Sequence, residues 1–211
     1  METPPCPLCR ATTILFNKQK ERIFLQCSNC CSVLLHPQFY LSAKDEAAHY
    51  RQHNNNPSDT NYQKFISPVT KRVLDDFTVD NTGLDFGSGT GSAVVKVLED
   101  NHYCIKQYDS FFHTDVTVLK QKYDYITCTE VAEHFKDPYK EFELLRKLLR
   151  PKGKLYIMTE LFDTEKDFAL WYYKNDPTHV FFYHKKAFEW IKYTFGYNDL
   201  YIEKRLVVLS L

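Results

Sequence analysis

From residue 62 onward the apolar positions alternate between two periods. Phe65, Ile66, Val69, Val73, Leu74 and Phe77 recur at helical spacing, predicting a helix over Tyr62 to Phe77 with Pro68 as a kink point. Short apolar runs then alternate with helical stretches. Strands are predicted at Gly83 to Phe86, Tyr103 to Tyr108, Tyr123 to Cys128 and Lys154 to Thr159. Helices are predicted at Ser92 to Asp100, Pro138 to Leu149 and Lys185 to Tyr193, the last capped by Gly196. Tyr201-Ile202-Glu203 and Leu206 to Leu211 read as a closing hairpin. Strands alternating with helices imply an α/β fold, with a mostly parallel sheet covered on both faces.

Upstream of residue 62 that regularity is lost. Residues 1–36 show little periodicity, and Ile23-Phe24-Leu25 is a short strand candidate. Residues 37–61 read as polar and irregular, a linker or a lid, with Asn54 to Asp59 a clear loop. His49-Tyr50-Arg51-Gln52-His53-Asn54 is dense in polar groups and could fold over a ligand, or remain a solvated linker.

Composition narrows the function classes. The 211 residues suffice for one α/β domain with a small appendage. Basic and acidic residues balance at 27 each, so no global field favours nonspecific nucleic-acid binding. No apolar run approaches the roughly 18 residues of a membrane span. The opening Met-Glu-Thr-Pro-Pro-Cys lacks signal-peptide features, which predicts a cytoplasmic protein with reduced thiols.

Five of the seven cysteines lie in residues 1–36. Cys6-Pro-Leu-Cys9 and Cys27-Ser-Asn-Cys30 are two CxxC pairs separated by 17 residues. Four thiolates at this spacing suit a closed, structural tetrahedral zinc site. Redox CxxC motifs or incidental thiols are the alternative, and Cys31 could replace Cys30. Cys104 and Cys128 fall inside strands and read as buried apolar residues.

The densest chemical signal is Leu84-Asp-Phe-Gly-Ser-Gly-Thr-Gly91, a strand that runs through a glycine turn into a helix. The dinucleotide fingerprint needs a glycine where Ser92 stands, and no Gly-Lys-Ser or Gly-Lys-Thr makes a P-loop. An acid before the turn suits an ammonium group. Free backbone N–H groups after it suit a carboxylate. Asp109 ends the next strand, where a carboxylate accepts from two ribose hydroxyls, and Phe111 or Phe112 could pack on an adenine. Asp115 could accept from the adenine amino group. Glu130 and His134 follow a third strand end, four residues apart, and could share one helical face. His134 suits a general base, as does His179, in a segment placed to shape an acceptor pocket. Packing or capping roles are the alternative for both.

These segments, with Thr127-Cys-Thr-Glu-Val-Ala-Glu-His-Phe-Lys-Asp-Pro138 and Leu148 to Thr159, resemble class I S-adenosylmethionine-dependent methyltransferases of the UbiE/UbiG-like type. The resemblance covers residues 62–211. More narrowly, the chain resembles proteins that join an N-terminal zinc ribbon to such a domain. It implies a Rossmann-like methyltransferase sheet over 62–211, a zinc ribbon over 1–36, and S-adenosylmethionine as methyl donor. It places Asp85, Gly87, Gly89, Asp109 and the Glu130 turn at the cofactor; Tyr62, Ser88, Ser110 and Phe111 complete the expected cofactor site, and His134 and His179 are the catalytic candidates. Zinc falls to Cys6, Cys9, Cys27 and Cys30. Lys152 departs from the glycine usual in that turn. The expected activity is methyl transfer to a small or medium-sized acceptor. An RNA methyltransferase docking through the ribbon is the first alternative, although residues 1–55 carry only six Lys or Arg against four Asp or Glu. A non-catalytic cofactor-binding module is the second.

Overall fold

The computed structural model describes residues 3–19, 21–52, 56–165 and 167–211. Its main sheet has six strands in the order β5-β4-β6-β7-β10-β9. These are β4 (Thr82–Phe86), β5 (Cys104–Tyr108), β6 (Tyr123–Thr129), β7 (Leu149–Met158), β9 (Asp199–Glu203) and β10 (Leu206–Ser210). The first four run parallel, and β10 and β9 return antiparallel as the expected hairpin.

Strand alternation sends successive side chains to opposite faces. Tyr125, Tyr156 and Val208 join one apolar cluster, with α2 (Thr60–Asp76) and α3 (Ala93–Asp100). Ile126, Leu155, Ile157, Val207 and Leu209 join the other, with α4 (Pro138–Leu148) and α5 (Lys185–Phe195). Both faces are covered, which is why these strands read as nearly unbroken apolar runs. Helix α2 runs through Pro68 without ending. Gly196 closes α5 at φ 68°. Between β6 and β7 the pairing passes from Tyr123–Leu149 to Tyr125–Lys154, so Arg150 to Gly153 bulge out opposite Asp124. Lys152 takes φ 66° there, the left-handed position where a glycine would be at ease.

A second sheet, β1-β2-β3-β8, is antiparallel. Strands β1 (Thr13–Gln19), β2 (Arg22–Cys27) and β3 (Val33–Leu35) belong to the N-terminal segment. Strand β8 (Phe181–Phe182) comes from the other end of the chain and pairs with β3. Val33, Leu34, Phe181 and Phe182 are fully buried in the same cluster as Leu155 and Ile157. The cysteine segment therefore shares its sheet and its core with the α/β body.

Two expectations are corrected. Residues 37–61 are not irregular throughout: α1 (Ala43–Tyr50) forms there. The Ser42 hydroxyl caps it by accepting from the Asp45 amide at 3.2 Å. Glu46 and Ala47 are buried, and Glu46 reaches Lys136 at 2.6 Å. A polar helix gives a weak apolar period, so its burial comes from docking rather than from pattern. His53, Asn54 and Asn55 lie outside the described residues. The second correction is Cys104, which is exposed. It opens the edge strand β5 on the side opposite buried Ile105. Cys128, in the central strand β6, is fully buried as expected. Among the described residues no helix is long and apolar enough to cross a membrane.

Candidate active site

Parallel strands point their carboxyl ends to one edge, and the loops that follow enclose a crevice there. A cavity of about 960 Å³ opens at that edge, lined by residues after β4, β5 and β6, by α1 and by the segment around Tyr173. Its size falls in the range that holds small ligands.

The glycine turn forms one wall. Gly87 takes φ 83°, and a Cβ there would lie 2.4 Å from Val131 Cγ1, so only glycine fits. Gly87 and Ser88 donate their amides to Tyr108 O at 2.8 and 3.1 Å, and Gly89 donates to Asp109 Oδ2 at 3.0 Å. The expectation of free amides is therefore corrected at these three positions: two are taken by Tyr108 at the end of β5 and the third by the Asp109 side chain just beyond it. Asp109 Oδ1 accepts from the amides of Phe111 and Phe112 at 2.8 and 3.1 Å. Its carboxylate thus ties both loops together and keeps one lone pair, on Oδ2, for a ligand.

Asp85 is 3% exposed and lies beneath the turn, outside the cavity lining. It accepts from Thr127 Oγ1 at 2.6 Å. Burial raises its pKa, opposed by the Thr127 and Ser92 hydroxyls. Asp115 also lies away from the cavity, exposed, where it accepts from the Thr117 amide at 2.9 Å. Tyr62, Ser110 and Phe111 all line the cavity. Tyr62 stands in the first turn of α2, whose cap Asp59 accepts its amide at 3.4 Å. Burial pushes its hydroxyl up to about 12.

Glu130 leaves β6 at φ 53°, a left-handed conformation that a non-glycine residue adopts only under constraint. Its amide donates to Met158 O at 2.8 Å, which fixes that bend. Burial and then the nearby Glu133 push its carboxyl up to about 8, against the pull of Arg205 at 3.4 Å. Ser88 Oγ, Thr129 Oγ1 and Glu130 Oε1 are buried polar atoms of the cavity wall with no protein partner. Buried polar atoms are ordinarily satisfied, so this row of orphans fits a polar ligand along the turn.

His134 and His179 come together in the same cavity, their ring centroids 4.8 Å apart. The Nδ1 of His134 lies 3.0 Å from Thr178 O, and that of His179 lies 2.7 Å from Tyr173 O. Burial lowers the His179 pKa, outweighing the pull of Glu133. Among the polar cavity residues, Glu46, Glu133 and Arg205 were not singled out in the sequence, while Tyr50 lies in the stretch read as able to fold over a ligand and Tyr173 in the segment placed to shape an acceptor pocket. Glu133 had one available signal, three residues past Glu130. Tyr50 packs edge-on against His134 at 5.3 Å, so α1 covers the cavity beside the histidines.

In the N-terminal segment, Sγ atoms of Cys6, Cys9, Cys27 and Cys30 all lie within 4.8 Å of one another. Cys6 and Cys30 are 3.8 Å apart, Cys9 and Cys27 3.3 Å. Sulfurs about 2.3 Å from one tetrahedral zinc stand about 3.8 Å from each other, so the set fits that ion. Each pair is followed by a left-handed residue, Arg10 at φ 61° and Cys31 at φ 59°. Cys31 thus closes a turn, as Arg10 does, and its thiol points to Asn29 O at 3.8 Å instead of into the cluster.

Comparison with known proteins agrees with this fold. No curated protein matches the sequence. Among solved structures, a SAM-dependent methyltransferase from Archaeoglobus fulgidus superposes with TM-score 0.53 at 18% identity, over 67% of this chain and 72% of that one. The Burkholderia thailandensis 1,6-didemethyltoxoflavin-N1-methyltransferase, with bound 1,6-didemethyltoxoflavin and S-adenosylhomocysteine, superposes with TM-score 0.56 at 12% identity, over 93% and 97%. An O-methyltransferase family protein from the same organism gives 0.54 at 10%, over 78% and 61%. At these identities the likeness is one of fold. The family model described as a methyltransferase domain matches residues 58–202, and the chain belongs to that family.

Proposed function

We propose that this chain transfers a methyl group from S-adenosylmethionine to a small or medium-sized acceptor held in the same cavity. The observation that carries the reading is the cavity's lining. The glycine turn, Asp109 and the orphaned Ser88 and Glu130 atoms share one cavity with His134 and His179. Bound S-adenosylmethionine would supply a sulfonium methyl group, already a strong electrophile.

The protein's work is then mainly positioning. Asp109 takes a ribose hydroxyl on its remaining lone pair, and Phe111, Ser110 and Tyr62 enclose the nucleoside. Ser88 and Glu130 offer their unpaired oxygens to the amino-acid end. Asp85 acts from beneath, through the turn and the α3 cap. Helix α1 and the Tyr173 segment exclude water from the acceptor side. Where the acceptor carries a proton, the cluster of Glu133, His134 and His179 removes it. The resembling folds include both nitrogen and oxygen methyltransferases, so the acceptor atom stays open. The ribbon's basic surplus is small, four Lys or Arg against two Asp or Glu over residues 1–36, and gives RNA docking little support.

We further propose one structural zinc held by Cys6, Cys9, Cys27 and Cys30. Its four ligands leave no open position, so it stabilises without taking part in transfer. Calorimetry with S-adenosylmethionine, followed by transfer of a labelled methyl group into metabolite and RNA fractions, tests the function. Absence of any cofactor binding by folded protein would overturn it. Label arriving in RNA alone would replace the small acceptor by RNA.

A further inference from the structure

The acceptor end of the cavity holds a donor set that methyl transfer as such does not require. Glu133, His134 and His179 each bring one ligand atom within 4.8 Å of the others. A carbonyl oxygen only accepts, so the Nδ1 atoms facing Thr178 O and Tyr173 O must carry the protons. That leaves the lone pair of both imidazoles on Nε2. Metal-binding histidines are typically anchored in this way, one ring N–H on a backbone carbonyl and the other nitrogen free.

Glu133 supplies the anion. Its side chain is wholly buried. Tyr173 donates its single hydroxyl proton to Oε1 at 2.5 Å, while Oε2 has no partner. No lysine or arginine among the described residues forms an ion pair with it, and its nearest cationic candidate is His179 Nε2 at 4.0 Å. A buried carboxylate left in this state is costly unless something positive joins it. Tyr173 also stands 3.5 Å from Glu130 Oε2, but one proton cannot serve two carboxylates.

We infer that Glu133, His134 and His179 bind one divalent first-row transition cation at the acceptor end of the cavity. Two imidazoles and one carboxylate form a familiar set for such ions, with the remaining coordination positions open. Ligands about 2.1 Å from one ion lie at most about 4.2 Å apart, so the cluster closes by small side-chain rotations. The open positions face the cavity, where an acceptor oxygen or nitrogen would coordinate. The site stands on these residues whether or not the methyl-transfer reading holds.

Protein carrying its zinc equivalent is titrated with Mn(II), and free Mn(II) is followed by electron paramagnetic resonance. Thiolates favour zinc over manganese, so the cysteine cluster stays silent. One additional cation per chain is expected. His134→Asn and His179→Asn should each weaken it about tenfold or more, with S-adenosylmethionine affinity measured alongside as a separate readout. In the unsubstituted protein, substoichiometric Mn(II) should broaden the ring-proton resonances of His134 and His179 first, a readout that needs no variant to fold. No bound Mn(II) and no second zinc equivalent under excess zinc would overturn the site. So would Mn(II) affinity unchanged in both variants, or broadening confined to other residues. Cation binding without cofactor binding would sink the methyl-transfer reading and leave the site standing.

Discussion

At the scale of single residues, Asp109 and Gly87 carry the most. Both Asp109 oxygens already accept amides from two loops, so Asp109→Ala removes a ligand contact and loosens the wall together. S-adenosylmethionine binding should weaken by about 1–3 kcal/mol, measured by calorimetry on folded variant. Gly87→Ala combines a left-handed φ with overlap on Val131, and its melting temperature should fall measurably. His134→Ala and His179→Ala should each lower turnover by about 10²–10⁴-fold on an identified acceptor while cofactor affinity holds. Near-normal turnover in both would make the histidines structural. Asp85 and Asp109 were equally visible in the sequence as site acids. Only the folded chain separates them, because β4 turns one beneath the glycine loop and β5 ends with the other facing the cavity.

At the scale of elements, α1 and the α2–β7 contact are the instructive cases. Helix α1 rests on its Ser42 cap and on Glu46, which joins Lys136 and accepts from Tyr50 Oη at 3.0 Å. Ser42→Ala should cost about 1 kcal/mol of local stability. Faster amide exchange across Ala43–Tyr50, with the main sheet unchanged, is the expected result. Asp76, the last residue of α2, is bound by Lys154 at 2.9 Å, Tyr156 Oη at 2.7 Å and Arg72 at 3.1 Å. Burial pushes its pKa up, but these hydrogen bonds and charges outweigh it, and the net shift is down from 3.8. A depressed carboxylate stabilises the fold in full above its ordinary value, and loses that contribution as pH falls through the folded one. Asp76→Asn should therefore lower stability near neutrality and flatten its loss below pH about 4, as read from denaturant midpoints across pH. The sequence announced α2 through its period. It hid α1, whose eight residues are mostly polar and are held by partners elsewhere in the chain.

At the scale of the whole molecule, the cysteine segment and the α/β body are joined by β8 and by one apolar cluster. Zinc removal should accordingly lower the melting temperature of the entire chain in one transition. An unchanged transition of the body after chelation, with the N-terminal segment alone unfolding, would show two independent units. What the sequence determined by itself was short in range. Helix and strand periods, the Gly87 turn, the spacing of the two CxxC pairs and the Asp109 strand end each involve neighbours whose geometry follows from local backbone preference. The tertiary structure alone decided what long-range packing brings together. It paired Phe181–Phe182 with β3, laid α1 over the cavity, spent the turn's amides on Tyr108 and Asp109, and set His179 beside Glu133 and His134. Those contacts join residues far apart in the chain, and no period or motif along the chain encodes which distant partner a buried group will find.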